Sequence, residues 1–197
     1  MSVQRVRPAL AGDEHGATVV EFALLAPVLL MTLLGLFDMG YTTYTSSILQ
    51  GAIAKAARNS AIEGASHAAI DAKVEAAVKN IAGNATVTFT RKAYSNFSSV
   101  RRPEDFTDLN GDGLCNAGEP FEDVNGNKSW DADRGKSGGG GARDAVLYTV
   151  RVAYPRAFPI SRFIGISETQ VVESSTVLRN QPWDDQQVVT PTVGNCG

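Results

Sequence analysis

The densest set of chemically active side chains lies between Asp108 and Glu119, in the stretch DLNGDGLCNAGE. It matches the calcium-loop pattern D-x-[DN]-x-[DN]-G-x5-E at every specified position. Calcium prefers a cage of oxygen ligands with several carboxylates, and a glycine permits the sharp turn that such a loop needs. The predicted ligands are the side chains of Asp108, Asn110, Asp112, Asn116 and Glu119 and the main-chain carbonyl of Leu114.

A second run, DVNGNKSWDAD, follows at once and repeats the first half of this pattern. Lys128 stands where the turn glycine is expected, and no glutamate closes the loop. Asp131 and Asp133 are candidates to replace it, or the two runs share Glu119 or Glu122. The predicted ligands here are Asp123, Asn125, Asn127, Ser129, Asp131 and Asp133. One or two calcium ions are expected, and a polar surface loop that binds no metal is the alternative.

Both runs lie in a strongly acidic part of the chain, which we interpret as an insertion at about 95–144. Residues 104–135 carry nine acidic and two basic side chains, so this block has a charge of −7 where the whole chain has −3. Such a block requires cations or solvent around it. The modest net charge of the whole chain gives no reason to expect a nucleic-acid partner.

The chain has two cysteines, Cys115 inside the first calcium-loop pattern and Cys196 near the end. An even pair predicts one disulfide if the protein is exported, because extracytoplasmic compartments are oxidising. Two free thiols are the alternative. A disulfide would tie the C-terminal tail to the first loop.

An apolar segment near the N-terminus supports export. The 21 residues from Ala17 to Phe37 contain a single charged side chain, Glu21. A bilayer core of about 30 Å needs roughly 20 helical residues, so the segment is long enough to span it. It is too long for a removable signal peptide and no small-x-small pattern follows it. Basic residues precede it, which predicts a cytoplasmic N-terminus.

The start of this segment resembles a type IV prepilin processing site. A short polar leader ends in Gly16, Ala17 would become the new N-terminus, and Glu21 and Phe22 follow at the fifth and sixth mature positions. More closely, GATVVEFALLAPVLLMTLLGLFDMGY resembles the TadE-like minor pilins of the tight-adherence (Flp-type) pilus system. The late stretch VESSTVLRNQPW is similar to a closing segment common in that family.

The resemblance implies a minor pilin or pseudopilin, cleaved after Gly16 by a prepilin peptidase and acting in assembly of an adhesive type IV pilus. The amine of Ala17 in one subunit would pair with Glu21 of a neighbour, which removes the cost of burying either charge alone. The implied partners are other pilins or pseudopilins, the peptidase and the membrane. The implied location is the bacterial inner membrane, crossed once with the C-terminal domain outside the cytoplasm, or the pilus or cell surface.

The rest of the chain predicts an α+β fold with a pilin-like plan. We divide it into a leader (1–16), a transmembrane helix (17–37), a helix extension (38–62) and an extracytoplasmic domain (63–197). Ser66 is placed to cap a second helix that ends at Gly83. Strands are predicted at 85–94, 145–154 and 169–180, which gives a small antiparallel sheet. The run Gly135–Gly141 is predicted to be a flexible linker.

Catalytic patterns do not stand out. The histidines are His15, in the leader, and His67, and no nucleophile elbow, phosphate loop or zinc spacing is present. We therefore expect no enzyme. The alternative to the pilin is a permanently membrane-anchored module that uses a calcium-loaded insertion for adhesion or sensing.

Overall fold

A computed structural model describes residues 15–60, 66–180 and 190–197. The chain forms two compact units. The first contains helix α1 as far as Tyr41 together with residues 156–168, and the second contains residues 42–155 and 169–197. Most of the predicted leader, the end of the helix extension and residues 181–189 lie outside the described residues.

Helix α1 (His15–Ser60) is continuous through Pro27. Its most apolar 18-residue window has a mean hydropathy of 2.3, and none of that window is buried. A soluble helix hides its apolar face in a core, so a long helix that exposes apolar side chains all round is suited to lipid. Among the described residues, this is the one helix long and apolar enough to cross a membrane.

The first unit also contains the turn that leaves and returns to the sheet. Residues 156–168 include a short helix, α3 (Ser161–Ile164), which ends at Gly165 in the left-handed conformation. This is the helical turn within a connection that the sequence predicts.

The second unit is built on a four-stranded antiparallel sheet. Its strands are β1 (Thr86–Tyr94), β3 (Lys136–Ser137), β4 (Ala145–Pro155) and β5 (Thr169–Arg179), in the order β3-β1-β4-β5. A separate pair joins β2 (Pro120–Asp123) to β6 (Thr192–Asn195). Helix α2 (His67–Lys79) buries Ile70, Val74 and Val78 at intervals of four, which places them on one face.

Alternation along β4 explains how the sheet is covered. Tyr148, Val150 and Val152 are buried on one face, where the Tyr148 hydroxyl donates to Asp71 of α2 at 2.6 Å. Burial and this hydrogen bond raise the pKa of Tyr148 above its ordinary value. The opposite face buries Ala145 and Leu147. There they pack with Tyr94, Val100 and Val177, so the start of the insertion is part of the core.

The predicted α+β class, with a long apolar helix before a small antiparallel sheet, is confirmed. Two details differ. Helix α2 ends at Lys79 rather than Gly83, and Ser66 stands at its N-cap without a side-chain hydrogen bond. The glycine-rich run is no free linker, because Lys136 and Ser137 pair with Ala93 and Lys92 of β1. This segment is fixed by pairing with β1, a strand distant in sequence, and local composition does not reveal such a pairing.

Candidate metal centre and processing site

The predicted processing residues occupy the start of α1. Gly16, Ala17, Glu21 and Phe22 are all helical and exposed. Ala17 and Glu21 are four residues apart, so they lie on the same face of the helix one turn apart. A new N-terminus at Ala17 would therefore stand on the face that carries Glu21.

The first loop, residues 108–119, is held by its own acidic side chains. Asp108 accepts hydrogen bonds from the amides of Gly111 (2.6 Å) and Gly113 (2.8 Å). Glu119 accepts from the amides of Leu109 and Asn116, both at 2.9 Å. The loop is thus closed from its first position to its last, as the calcium-loop pattern requires.

Asp112 occupies the middle of the first loop and is exposed. Hydrogen bonds from the Leu114 amide first, and then from the Asn116 and Asn110 side chains, lower its pKa below 3.8. The side chain therefore carries its negative charge well into acid solution.

The second loop, residues 123–134, has the same hydrogen-bond frame. Asp123 accepts from the amides of Gly126 (2.7 Å) and Lys128 (2.9 Å), three and five residues ahead, as Asp108 does. Asn125 accepts from the Asn127 amide at 3.0 Å. Asn127 donates its side-chain amide to Asp131 at 2.6 Å, as Asn116 does to Asp112 in the first loop. The weaker sequence match therefore folds like the stronger one.

Glu104 is the residue that the sequence analysis missed. Its carboxylate accepts from the amides of Val124 (2.9 Å) and Asp131 (3.1 Å), the second and ninth positions of the second loop. Leu109 and Asn116, which donate to Glu119, are the second and ninth positions of the first loop. Glu104 thus takes in the second loop the place that Glu119 takes in the first.

An internal repeat is the signal that would have found Glu104. The stretches EDFTDLNGDG and EPFEDVNGNK begin at Glu104 and Glu119, 15 residues apart, and align without gaps. The two repeats also make equivalent hydrogen bonds to each other. The Thr107 amide donates to the Pro120 carbonyl, and the equivalent Glu122 amide donates to the Asp105 carbonyl. Phe106 pairs with Phe121 at the centre. Glu104, which begins the first repeat, therefore closes the loop of the second repeat, and Glu119, which begins the second repeat, closes the loop of the first.

Position twelve of the second loop has a different task. Arg134 donates through Nε to the Pro103 carbonyl at 2.9 Å and through a terminal nitrogen to Asp105 at 2.8 Å. These bonds flank Glu104 in the chain. Arg134 thus occupies the position where a closing glutamate is expected, and it holds in place the segment that contains Glu104, the glutamate that closes this loop.

The carboxylate of Asp133, a predicted ligand of the second loop, faces strand β1. It accepts from Lys92 Nζ (2.9 Å) and from the Tyr94 hydroxyl (2.8 Å) on strand β1. Burial alone would raise the pKa of Asp133, but these hydrogen bonds outweigh burial and lower it. Burial, together with the bond to Asp133, raises the pKa of Tyr94 to about 12. A cavity of about 370 Å³ lies between this edge and the second loop.

A disulfide joins the first loop to the C-terminal tail. Cys115 and Cys196 are bonded, with Cα atoms 5.5 Å apart and a sequence separation of 81. The Gly118 amide donates to the Cys196 carbonyl and the Cys196 amide to the Glu119 carbonyl. Strand β6 is thus held beside β2 by covalent and hydrogen bonds.

Three carboxylates of the two loops, two that close a loop and one that opens the second, are buried without a counter-charge. Glu104, Glu119 and Asp123 are 1%, 3% and 2% exposed, and in the described part of the chain none of them forms an ion pair. Backbone amides satisfy them in part. Within the same residues, no three Asp, Glu, His or Cys side chains form a ready metal cluster. A cation here would also need amide and main-chain oxygens, which calcium accepts.

Comparison with known proteins bears on the N-terminal helix. Residues 16–58 match a family described as TadE-like protein. Neither the curated proteins nor the solved structures give a match. The matched region contains the candidate processing residues and ends before the sheet and the insertion.

Proposed function

Residues 16–58 match the TadE-like family, and from this match we propose that the chain is a minor pilin or pseudopilin of a tight-adherence pilus. Helix α1 anchors it in the bacterial inner membrane with the C-terminal domain outside the cytoplasm. Its role is structural rather than catalytic. The observation that carries the proposal is the family match to a helix whose most apolar 18-residue window has no buried residue.

Processing after Gly16 is the first part of this proposal. A prepilin peptidase would free the amine of Ala17 on the helix face that carries Glu21. In a packed assembly, this amine and the Glu21 carboxylate of a neighbouring pilin neutralise each other in the apolar environment. Without the neighbour, Glu21 is the one charged side chain in an otherwise apolar span.

N-terminal sequencing of the protein isolated from cells tests the processing. We expect Ala17 as the first residue. An intact N-terminus would contradict processing and would favour the alternative, a permanently anchored calcium-dependent adhesive or sensing module.

Substitution of Glu21 tests the pairing. Glu21→Gln keeps the size of the side chain but removes its charge, so we expect normal membrane insertion and impaired pilus assembly. Glu21→Asp keeps the charge and should assemble better than Glu21→Gln. Wild-type assembly of Glu21→Gln would contradict the pairing role.

We also propose that calcium stabilises the insertion, with one ion in each loop. In the first loop, Asp108, Asn110, Asp112, Asn116, Glu119 and the Leu114 carbonyl supply the ligands. In the second, Glu104 joins Asp123, Asn125, Asn127, Asp131 and the Ser129 carbonyl. We leave Asp133 out because, unlike the other carboxylates, it already has a cationic partner, Lys92 of β1. What supports calcium is the burial of Glu104, Glu119 and Asp123 without a cationic partner among the described residues, since an unpaired buried charge is costly.

Calorimetric titration of the full chain in detergent with calcium chloride tests this part. We expect two ions per chain and a rise in melting temperature. Glu104→Gln and Glu119→Gln should each remove one ion. Glu122→Gln, an exposed neighbour, is the matched control and should bind as the wild type does. No heat and no thermal shift would leave the loops as metal-free polar turns.

A further inference from the structure

The turn at residues 156–168 is packed against the end of the apolar helix. Ile160 is buried and reaches Gly35, where an added Cβ would stand 3.3 Å from the Ile160 Cδ1 atom. The rings of Phe37 and Phe158 stack with centroids 5.8 Å apart. Arg156 forms an ion pair with Asp38. The turn is therefore fixed to helix α1 at three positions, Gly35, Phe37 and Asp38.

Those positions mark a definite depth if α1 spans a bilayer. The 21 residues from Ala17 to Phe37 rise about 31 Å at 1.5 Å per residue, which matches a hydrocarbon core of about 30 Å. Gly35 and Phe37 then lie at the edge of the hydrocarbon region farther from Gly16. Whatever is fixed to them lies at that interface.

Part of the outer surface of the turn is apolar. Phe163, Ile164 and Ile166 are 64%, 53% and 40% exposed. They follow one another around α3 and Gly165, so they form one small patch. In water this patch would remain uncovered, whereas large apolar side chains beside a transmembrane segment gain free energy by entering the boundary of headgroups and acyl chains.

Charge on the turn is balanced. Arg156 pairs with Asp38, and Arg162 lies 3.4 Å from Glu168. The first charged residue after the apolar run is thus neutralised, and the turn as a whole offers no net attraction to anionic lipid. Its attraction to a membrane is hydrophobic.

We infer that residues 156–168 form a second membrane contact, in which Phe163, Ile164 and Ile166 insert into the leaflet that surrounds the end of α1. The inference rests on the proposed membrane anchoring of α1. The occupant of the patch is the lipid of that same bilayer, because the turn that carries the patch is packed against the end of the apolar run of α1 through Phe158 and Ile160. The turn fixes how deep the helix sits.

Site-specific fluorescence in vesicles tests the contact. Full-length protein with Phe163→Cys is labelled with an environment-sensitive dye, without reductant so that the disulfide persists, and is placed in phosphatidylethanolamine vesicles with nitroxide-labelled lipid. We expect blue-shifted emission and loss of most of the fluorescence by quenching. Adding phosphatidylglycerol should not change either result, since Arg156 is paired with Asp38 and Arg162 with Glu168.

Two controls separate the possible failures. Phe97→Cys places the dye at a similarly exposed phenylalanine in the insertion. There the dye should not be quenched, and its emission should be that of the dye in water. Leu25→Cys labels α1 itself and should be quenched. Quenching at position 25 without quenching at 163 would overturn this inference alone. The same holds if the dye at 163 shows blue-shifted emission without quenching, which would indicate that the patch docks on a second copy of the chain. Absence of quenching at 25 would overturn the anchoring and this inference together.

Discussion

The two loops of the insertion have the same hydrogen-bond frame but acquire it differently. The first, 108–119, carries its closing glutamate in sequence, whereas the second receives Glu104 from 19 residues before Asp123. Asp108 is exposed and Asp123 is buried. One loop is complete as a peptide at the surface, and the other exists only when two segments of the insertion come together.

This difference shows how a repeat becomes a folding unit. Because Glu104 of the first repeat closes the second loop, the second loop cannot fold independently of the first repeat. The Phe106–Phe121 pairing and the two amide bonds beside it hold the exchange together. A substitution in the first repeat should therefore destabilise the second loop as well. Variants that remove single interactions measure the size of this effect.

The disulfide should give the largest effect, and on the first loop. Closing a chain segment across 81 residues is worth roughly 4 kcal/mol in the chain-entropy view. We expect the Cys115→Ser/Cys196→Ser double variant to unfold at clearly lower temperature by differential scanning calorimetry in detergent. Reductant on the wild type should reproduce that shift. Equal melting temperatures for the two proteins would show that the hydrogen bonds of Cys196 suffice.

Removal of the exchanged glutamate comes next. Glu104→Ala removes the buried carboxylate that accepts from the partly buried amides of Val124 and Asp131 and should cost about 2–4 kcal/mol. Hydrogen exchange measured peptide by peptide should show lost protection in 123–131. Glu119→Ala is the matched variant and should open 109–116 first. The comparison fails if Glu104→Ala leaves the second loop as protected as in the wild type.

The sequence predicted what is local or periodic. Alternation located β1, β-branched and aromatic content located β4, the long apolar run located α1, and a contiguous ligand pattern located the first loop. Position and type of these elements follow from neighbours within a few residues, so composition and spacing suffice. The match of 16–58 to the TadE-like family agrees with the resemblance seen at Gly16, Glu21 and Phe22.

What the sequence did not predict depends on distant contacts. Glu104 lies outside both ligand patterns, and only the folded bridge between the repeats brings it to Val124. Asp133 was a candidate ligand because of its spacing, yet Lys92 and Tyr94, about 40 residues earlier in the chain, take its oxygens. The glycine-rich run was predicted as a linker because no local pattern shows that β1 has a free edge for Lys136 and Ser137.

Asp133 ties the second loop to the sheet, and its effect should depend on pH. Its folded pKa lies below 3.8, so the stability it gives is complete above that value and is lost as pH falls through the folded pKa. At pH 7, Asp133→Asn should cost roughly 1–2 kcal/mol, since the bonds to Lys92 and Tyr94 weaken. Melting curves of both proteins should converge as pH falls below about 3.8. A constant difference across that range would assign the loss to packing instead of charge.

The smallest effect distinguishes the sixth position of the two loops. Gly113 and Lys128 both have left-handed backbone, with φ of +77° and +66°. A side chain there costs roughly 1–2 kcal/mol, and nothing lies within 4 Å of a Cβ built on Gly113. Gly113→Ala should therefore destabilise the first loop through the backbone alone. Lys128→Gly should stabilise the second by about 1 kcal/mol or less, because glycine also gains freedom when unfolded.

One substitution on α1 gives the control for the sixth-position pair. Gly51 is helical, exposed and equally free of neighbours, so Gly51→Ala should stabilise by roughly 0.5–1 kcal/mol. The same glycine-to-alanine change thus has opposite signs at 51 and 113 if left-handed backbone is the cause. Calorimetric melting of the variants measures both signs. If Lys128→Gly instead lowers stability, the Lys128 side chain holds the second loop by contacts that outweigh its strained backbone.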